Sequence, residues 1–467
     1  MTDAVVIGSG PNGLAAAIRL AEAGRDVLVL EAAPAYGGAV RTEELTLPGF
    51  KHDTFSSVYP AGAASPVWAR MPLGEYGLEW VQPGAASAQV LPDGRAAVLY
   101  RDLARTAYSL EALHPGDGEA WARFTRPFLE HFDALRDTML SGFPPLGGPL
   151  RLTAQSPRTT FELTRLLTGS AVGLGKRLFA SEGARTWLYS AAAHGDAPAD
   201  AAGSGIAAFY LNLLGHAVGW PSPRGGASGL SDALVAYLRS LGGAIRMGTP
   251  VERIEIAGGR VTGVWAAGEA FTAPIVIATV MPQSLLELAS LNGWYRKALT
   301  RFRVGPNTTK LDWALDGPIP WLAPAAREAG TVHVGDRASG FILVGQQSVA
   351  DPSRAPEGKH TAWAYTHAGL DMEAEIERFA PGFRDLILAR HELRPADFEA
   401  RNANLIGGDV GGGSYTLRQV VFRPVPKLSP YTTPVRGLYL GGASTFPGGA
   451  VHGVPGDAAA RAALRHG

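Results

Sequence analysis

The sequence predicts an α/β protein: a mainly parallel sheet domain assembled from three separated stretches of chain, with an α+β substrate domain inserted between them. Three features carry this reading. The chain opens on the apolar run Ala4–Ile7, a glycine turn over 8–13, an alanine-rich run over 14–23, and a second apolar run over 26–30. A middle stretch, 221–290, again mixes short apolar runs with one helical pattern. The end returns to a glycine block, 437–456, that leads into another alanine-rich run. Short apolar runs alternating with helical ones are the pattern of parallel strands joined by crossover helices.

The elements follow in order. Residues 1–70 form the first part of the sheet domain. Residues 71–220 form the first part of the insert. They open with a hairpin, 88–91 against 96–100, around the Asp93-Gly94 turn pair. Residues 104–140 and 157–215 carry helical patterns. Residues 221–290 form the second part of the sheet domain. There, a glycine turn over 224–229 precedes a helix over 230–241. Strands follow over 244–246, 251–256, 261–265 and 274–280, with Gly258-Gly259 as a turn. Residues 291–404 form the second part of the insert, and 405–467 close the sheet domain. The proline-rich patches 143–149 and 318–324 read as loops. There is no tandem repeat.

The opening motif has a specific physical content. Gly8 permits a tight turn after the strand. Gly10 has no side chain, so a pyrophosphate can approach the backbone. Gly13 lets the helix pack close to the strand. Pro11 and Asn12 open that helix, whose free N–H groups and partial positive charge face the phosphates. Glu31, 18 residues past Gly13 and followed by Ala32, can accept from a ribose diol, and its charge disfavours a 2′-phosphate. The arrangement is that of a Rossmann-like dinucleotide domain. Together with the closing glycine block, it specifies FAD.

Composition excludes several classes. Lys+Arg and Asp+Glu both total 42, giving a formal net charge of zero, and no basic block points to nucleic acid. Cysteine is absent, which excludes disulfides, thiol redox chemistry and a cysteinyl-linked flavin. That absence, with no leader pattern before the first strand, predicts the cytoplasm. The uncharged run 201–223 contains Gly203, Ser204, Gly205, Asn212, Gly215 and His216, so it is too polar for a membrane span. It reads as a buried helix beside a cavity. Peripheral contact with lipid through this region, near Arg158, Arg165, Lys176 and Arg177, stays open, as does the oligomeric state. The eleven histidines show no ligand spacing, so no metal is expected.

Several motifs together resemble the phytoene desaturase-related FAD-dependent oxidoreductases, within the wider glutathione-reductase-like and amine-oxidase-like flavoproteins. They are the opening fingerprint, Gly37-Gly38 with Arg41-Thr42, Pro223-Arg224-Gly225-Gly226, Asp351-Pro352-Ser353-Arg354-Ala355-Pro356, Phe422-Arg423-Pro424-Val425-Pro426 and the terminal glycine block. The resemblance covers nearly the whole chain. Its nearest branch is the one named for a pyridine nucleotide-disulfide oxidoreductase domain, although that name demands paired cysteines. The resemblance implies that Gly37, Gly38, Arg41 and Thr42 flank the pyrophosphate and ribityl chain. It implies that Val251 holds adenine through its backbone. It also implies that Gly442, Ala443, Ser444, Gly453, Val454 and Pro455 pass the flavin, with a helix N-terminus at the pyrimidine edge. Ala443 stands where many relatives have an acid, and Phe446 where histidine is frequent.

The chemistry expected is hydride transfer from a small-molecule C–H centre to FAD, without NAD. The cluster Gly407-Gly408-Asp409-Val410-Gly411-Gly412-Gly413 neither follows a strand nor opens a helix, so it is a poor second dinucleotide site. Lys310 is the leading catalytic candidate. Strand alternation places Lys310, Asp312 and Ala314 on one face and Leu311, Trp313 and Leu315 on the other. The segment resembles the amine-oxidase strand whose lysine holds a water against flavin N5. His452, within the flavin block, and Tyr59, in the stretch with His52, Asp53, Ser56 and Ser57, are further candidates. His194, Tyr210, His216 and Trp220 are candidate wall residues. A desaturase or oxidase for an apolar, isoprenoid- or polyketide-like molecule fits best. Electrons would pass to oxygen, a quinone or another carrier. An amine oxidase, a non-redox isomerase and a flavin-stabilised interaction protein are the alternatives. Ala450, where amine oxidases carry an aromatic, weighs against amines.

Overall fold

A computed structural model describes residues 2–194 and 198–466. The chain begins as expected: strand β1 (Ala4–Ile7), helix α1 (Pro11–Glu22) and strand β2 (Val27–Leu30). The hairpin strands β3 (Ala85–Val90) and β4 (Ala96–Leu99) follow. Then comes a run of helices, α2 (Leu103–Glu111), α3 (Asp117–Glu130), α4 (Phe132–Met139), α5 (Gly147–Gln155), α6 (Pro157–Thr168), α7 (Ala171–Leu178), α8 (Glu182–Ala192) and α9 (Ser204–Ala217). Helix α10 (Ser228–Ser240) precedes β5 (Ala244–Arg246), β6 (Val251–Ala257), β7 (Arg260–Ala266), β8 (Glu269–Thr272) and β9 (Ile275–Ala278). The second insert supplies β10 (Thr309–Leu315), β11 (Ala329–Asp336), β12 (Gly340–Gly345), β13 (His360–Thr366) and β14 (Ile387–Leu393). Strand β15 (Leu438–Leu440) and helix α11 (Val454–His466) complete the chain.

One sheet runs β15-β9-β1-β2-β5, all parallel. Each of the three predicted stretches contributes to it. Its central strands β1 and β9 are fully buried, as expected for strands covered on both faces. Helices α1, α10 and α11 pack on one side in a core rich in alanine, whose small side chains let the helices approach closely. The antiparallel sheet β6-β7-β8 covers the other side together with the helices at Pro282–Leu288 and Gly293–Leu299.

The larger sheet runs β14-β10-β13-β12-β11-β3-β4. Its parallel pair, β11 with β3, joins the two inserts in one sheet. Alternation along β10 is as expected. Trp313 and Leu315 enter an apolar core with Val332, Val344, Ala362 and Ile376. Lys310, Asp312 and Ala314 point to the opposite face, beside Tyr365, Trp363 and Thr361 of β13.

Two proline-rich patches expected as loops are partly helical. Helix α5 starts inside the 143–149 patch, and a 3₁₀ turn, Pro324–Glu328, starts at the end of 318–324. Pro149 and Pro324 sit in first turns, where a missing N–H costs nothing. The uncharged run became helix α9, which buries Ala208, Phe209 and Leu213 among aromatics of the helical insert. Among the described residues, no helix is long and apolar enough to cross a membrane.

Candidate active site

The two ends of the chain meet at the dinucleotide motif. A Cβ on Gly456, in the first turn of α11, would lie 1.8 Å from the Asn12 carbonyl oxygen. The N-terminal turns of α1 and α11 are therefore in backbone contact, bringing Pro11 and Asn12 beside Val454 and Pro455. Helix α1 has no side-chain cap and no acid in its first turn, so its first N–H groups remain available to an anion. Gly8 has φ +95°, and a Cβ on Gly13 would lie 1.9 Å from the Gly8 carbonyl oxygen. Gly10 behaves differently: a Cβ there meets only Gly38 Cα, at 3.9 Å. Gly13 is required by the fold, whereas Gly10 keeps a slot open. That difference is the cradle a pyrophosphate needs.

The Glu31 end of the cradle, which could hold a ribose, is equally fixed. The Glu31 carboxylate accepts from the Ser9 N–H at 2.8 Å, the Ser9 hydroxyl at 2.6 Å and the Ala33 N–H at 2.9 Å. The Thr249 N–H donates to the Glu31 carbonyl and the Gly248 N–H to that of Ala33. These bonds bring the start of β6, and so Val251, beside Glu31 and the exposed Ala32. Arg41 Nε is buried without a hydrogen-bond partner, and its guanidinium lies 5.3 Å from the Phe55 ring. A buried, unpaired guanidinium nitrogen beside a glycine slot calls for an anionic oxygen. Thr42 is held by its neighbours. Its hydroxyl donates to Asp53 at 2.9 Å and accepts from the Ser228 N–H at 3.0 Å. Gly37 and Gly38 have φ of +103° and +58°.

The C-terminal block passes the same place. Gly442 packs against Thr279, Ser444 Oγ is buried without a partner, and Gly453 (φ +68°) lies under the Trp68 ring. Ala450 and Val451 both adopt left-handed backbone, with φ +93° and +57°. Such strain in two successive non-glycine residues persists only where neighbours enforce it. Here the Trp68 indole donates to the Val451 carbonyl at 2.9 Å and the Ser65 hydroxyl to that of His452 at 2.6 Å. His452 is buried, and burial lowers its pKa to about 4, so near neutrality it is an acceptor; its Nδ1 takes the Val454 N–H at 3.3 Å. Tyr59 is buried with its hydroxyl on the Ser56 carbonyl at 2.8 Å, and burial pushes its phenol well above the ordinary value.

Lys310 is enclosed. Its ammonium donates to Asp312 Oδ1 at 2.5 Å and to the Asp53 carbonyl at 3.0 Å. Burial works against the Asp312 carboxylate, but Lys310, His391 and His52 more than offset it and hold its pKa below the ordinary value. The Asp53 carboxylate takes Thr42, the Ala227 N–H and Ser57, and lies 2.9 Å from Arg354 Nη2. Lys310, Asp312, Asp53 and Arg354 thus form a buried charge cluster with two positive and two negative members. It ties the 52–57 segment to the large sheet.

Sequence reasoning gave no role to Arg354 and Arg423, both fully buried. Arg354 Nε donates to the Lys51 carbonyl at 3.1 Å. Arg423 reaches the carbonyls of Gly412, Ala443 and Ser444, bracing the C-terminal glycine block. For Arg423 a signal was visible, since it is an arginine set between Phe422 and the run Pro424-Val425-Pro426; the polar surroundings of Arg354 gave none. The 407–413 glycines wind around Asp409, whose carboxylate takes the N–H groups of Gly305, Gly411 and Gly413. Of the wall candidates, His216 accepts from the Trp121 indole at 3.0 Å inside the helical core, and Tyr210 has a buried hydroxyl without a partner. His194 and Trp220 lie edge to face, 5.6 Å apart.

A glycine cradle at a parallel sheet, two converging helix N-termini and a strained glycine block define a flavin-binding oxidoreductase of the two-domain kind. The chain belongs to the flavin containing amine oxidoreductase family, whose profile matches residues 12–463, and it is FAD-dependent. Its relatives include pyridine nucleotide-disulfide oxidoreductase domain-containing protein 2 of Rattus norvegicus, 28% identical over 99% of this chain and 93% of that one. A limonene dehydrogenase polypeptide of Castellaniella defragrans is 26% identical, covering 96% and 92%. The neurosporene-forming phytoene desaturase of Rhodobacter capsulatus is 24% identical, covering 98% and 92%. The resemblance read from the motifs therefore holds. Among solved structures, an oxidoreductase from Methanosarcina mazei shares the fold with TM-score 0.68 at 19% identity, over 99% of this chain and 100% of that one. Putrescine oxidase bound to putrescine does so with TM-score 0.63 at 18%, over 99% of each.

Proposed function

We propose that the protein desaturates a C–C bond, or oxidises a related C–H centre, in an isoprenoid- or polyketide-like small molecule. The observation that carries this is the nearly full-length match to two relatives whose names specify isoprenoid substrates, limonene and phytoene. Ala450 supports it, because the strained segment holds no aromatic ring to flank an amine. FAD, when bound, supplies the hydride acceptor. The chain's own groups do the rest. Gly10, Gly38, Arg41 and the first turn of α1 would hold the pyrophosphate. Glu31 and the start of β6 would hold the adenosine. Ser444 and the 450–455 segment would border the flavin. His452, neutral and enclosed, would add no charge there. Lys310, its ammonium paired with Asp312, would hold the 52–57 segment in place rather than add net charge.

The test is anaerobic. Purified FAD-loaded protein is mixed with isoprenoid hydrocarbons and alcohols, with amines, and with NADPH, and bleaching of the oxidised flavin band is followed. Bleaching by an isoprenoid but not by putrescine-like amines supports the reading. Rapid bleaching by NADPH, or by amines alone, would sink it. The amine alternative draws on the likeness to putrescine oxidase and on Lys310, and the same panel decides it.

A further inference from the structure

A chain of hydrogen bonds crosses from helix α8 to the large sheet, outside the dinucleotide site. Ser190 of α8 donates its hydroxyl proton to the Trp187 carbonyl at 2.8 Å, and its oxygen lies 3.0 Å from His333 Nδ1. His333 Nε2 lies 3.0 Å from His194 Nε2, and His194 Nδ1 lies 3.4 Å from the Tyr365 hydroxyl. A serine has one proton. Once that proton goes to Trp187, Ser190 can only accept from His333 Nδ1–H. His333 Nε2 must then accept from His194 Nε2–H, which leaves His194 Nδ1 as the acceptor for Tyr365. The polarity runs one way, from the phenol to the helix.

Burial keeps the relay uncharged. It lowers the His333 pKa to about 3, and burial followed by His333 and His367 holds His194 well below the ordinary value. Burial alone raises the Tyr365 phenol, with no charged neighbour contributing. His194 and Tyr365 nevertheless keep accessible surface, so the phenol end of the relay is open while Ser190 and His333 are closed off. Tyr365 is the ladder partner of Lys310 and faces the same side of the sheet. Trp363 stacks beside it at 5.8 Å and 15°, lying over Gly345, where a Cβ would come within 2.1 Å of the indole. The phenol is thus fixed in place, with its proton committed to His194 and its oxygen lone pairs free on that open side.

We propose that Tyr365 Oη is the substrate anchor of this protein, accepting a hydrogen bond from a neutral hydroxyl on an otherwise apolar molecule, with His194, His333 and Ser190 as positioning residues that set its polarity. This rests on the isoprenoid reading above and narrows it to an oxygenated substrate. A cationic amine is a poorer occupant, because the acid nearest in the ladder, Asp312, is already paired with Lys310.

Two measurements test it. In ¹⁵N-histidine-labelled holoenzyme, assigned with His194→Gln and His333→Gln, nitrogen shifts should show Nδ1–H on His333 and Nε2–H on His194, both neutral from pH 6 to 8. The opposite tautomers, or an imidazolium at either position, overturn the polarity. The second measurement follows binding of farnesol and of its methyl ether through the flavin absorbance. The wild type should prefer the alcohol by about tenfold, the worth of one hydrogen bond. Tyr365→Phe should bring the ratio to about one with FAD content and ether affinity unchanged. Equal binding by the wild type, a preference that survives in Tyr365→Phe, or no binding of the alcohol overturns the anchor. If the preference holds but no isoprenoid bleaches the flavin, the anchor stands and the proposed reaction fails.

Discussion

The ammonium of Lys310 donates to the backbone carbonyl of Asp53 at 3.0 Å, across 257 positions of sequence. Through this bond, a strand of the second insert holds the segment that follows the dinucleotide loop. Arg354 approaches the same residue from the other side, at its carboxylate. The link between the 52–57 segment and the large sheet is therefore electrostatic, and its four charges depend on one another.

Lys310→Met should leave Asp312 buried without its cation. Uncompensated buried charges cost about 3–5 kcal/mol, so urea denaturation should show a loss of that order. Lys310→Met combined with Asp312→Leu should recover most of it. Reoxidation of the reduced enzyme by oxygen separates the two roles of Lys310. A slow rate that persists in the stabilised double variant marks a part in the chemistry. A wild-type rate would show that Lys310 only holds the structure.

Gly10 and Gly13 should fail in different ways. Gly10→Val projects into the open slot, so the protein should fold, with wild-type circular dichroism, but purify without FAD. Gly13→Ala forces a methyl to within 1.9 Å of the Gly8 carbonyl oxygen, so it should misfold or aggregate whether or not FAD is supplied. Stoichiometric FAD in folded Gly10→Val would show that the slot is not where the pyrophosphate sits.

Arg354→Met should destabilise the protein by about 3–5 kcal/mol by orphaning the buried Asp53 carboxylate. Adding Asp53→Asn should restore part of this, since the amide still accepts from Thr42, the Ala227 N–H or Ser57 without carrying charge. Thermal melts of the two single variants and the double variant form the cycle. Strict additivity would show that the pair is not coupled.

Stability should fall as pH drops from 7 to 5. His52, His216 and His452 have pKa values lowered by burial to about 4, against an ordinary value near 6.5. The unfolded chain therefore binds more protons between about pH 6.5 and 4, and stability rises with pH across that window. Each histidine accounts for a loss of roughly 2 kcal/mol at pH 5 relative to pH 7. A melting temperature that is flat or rises on acidification to pH 5 contradicts these burials.

The nucleotide domain was legible in one dimension because its logic is local. Gly8, Gly10 and Gly13 are read within one turn, and apolar runs such as Ala4–Ile7 announce buried parallel strands. The same applies to alternation along β10, which places Lys310 and Trp313 on opposite faces whatever the partners are. The resemblance carried by the longer motifs added the family and its cofactor.

The partners were not legible, because contacts across hundreds of residues leave no local pattern. Nothing near Lys310 announces Asp53, and nothing near Asp351-Pro352-Ser353-Arg354 says that the arginine closes a buried charge cluster. Thr42 shows the same limit: nothing in its motif names Asp53 or Ser228, which packing brought to its hydroxyl. Only the folded chain decided which polar groups were removed from water together. Burial then required each of them to find a partner, and it was this requirement, rather than residue type, that set the roles of Arg354, Arg423, His333 and Tyr365.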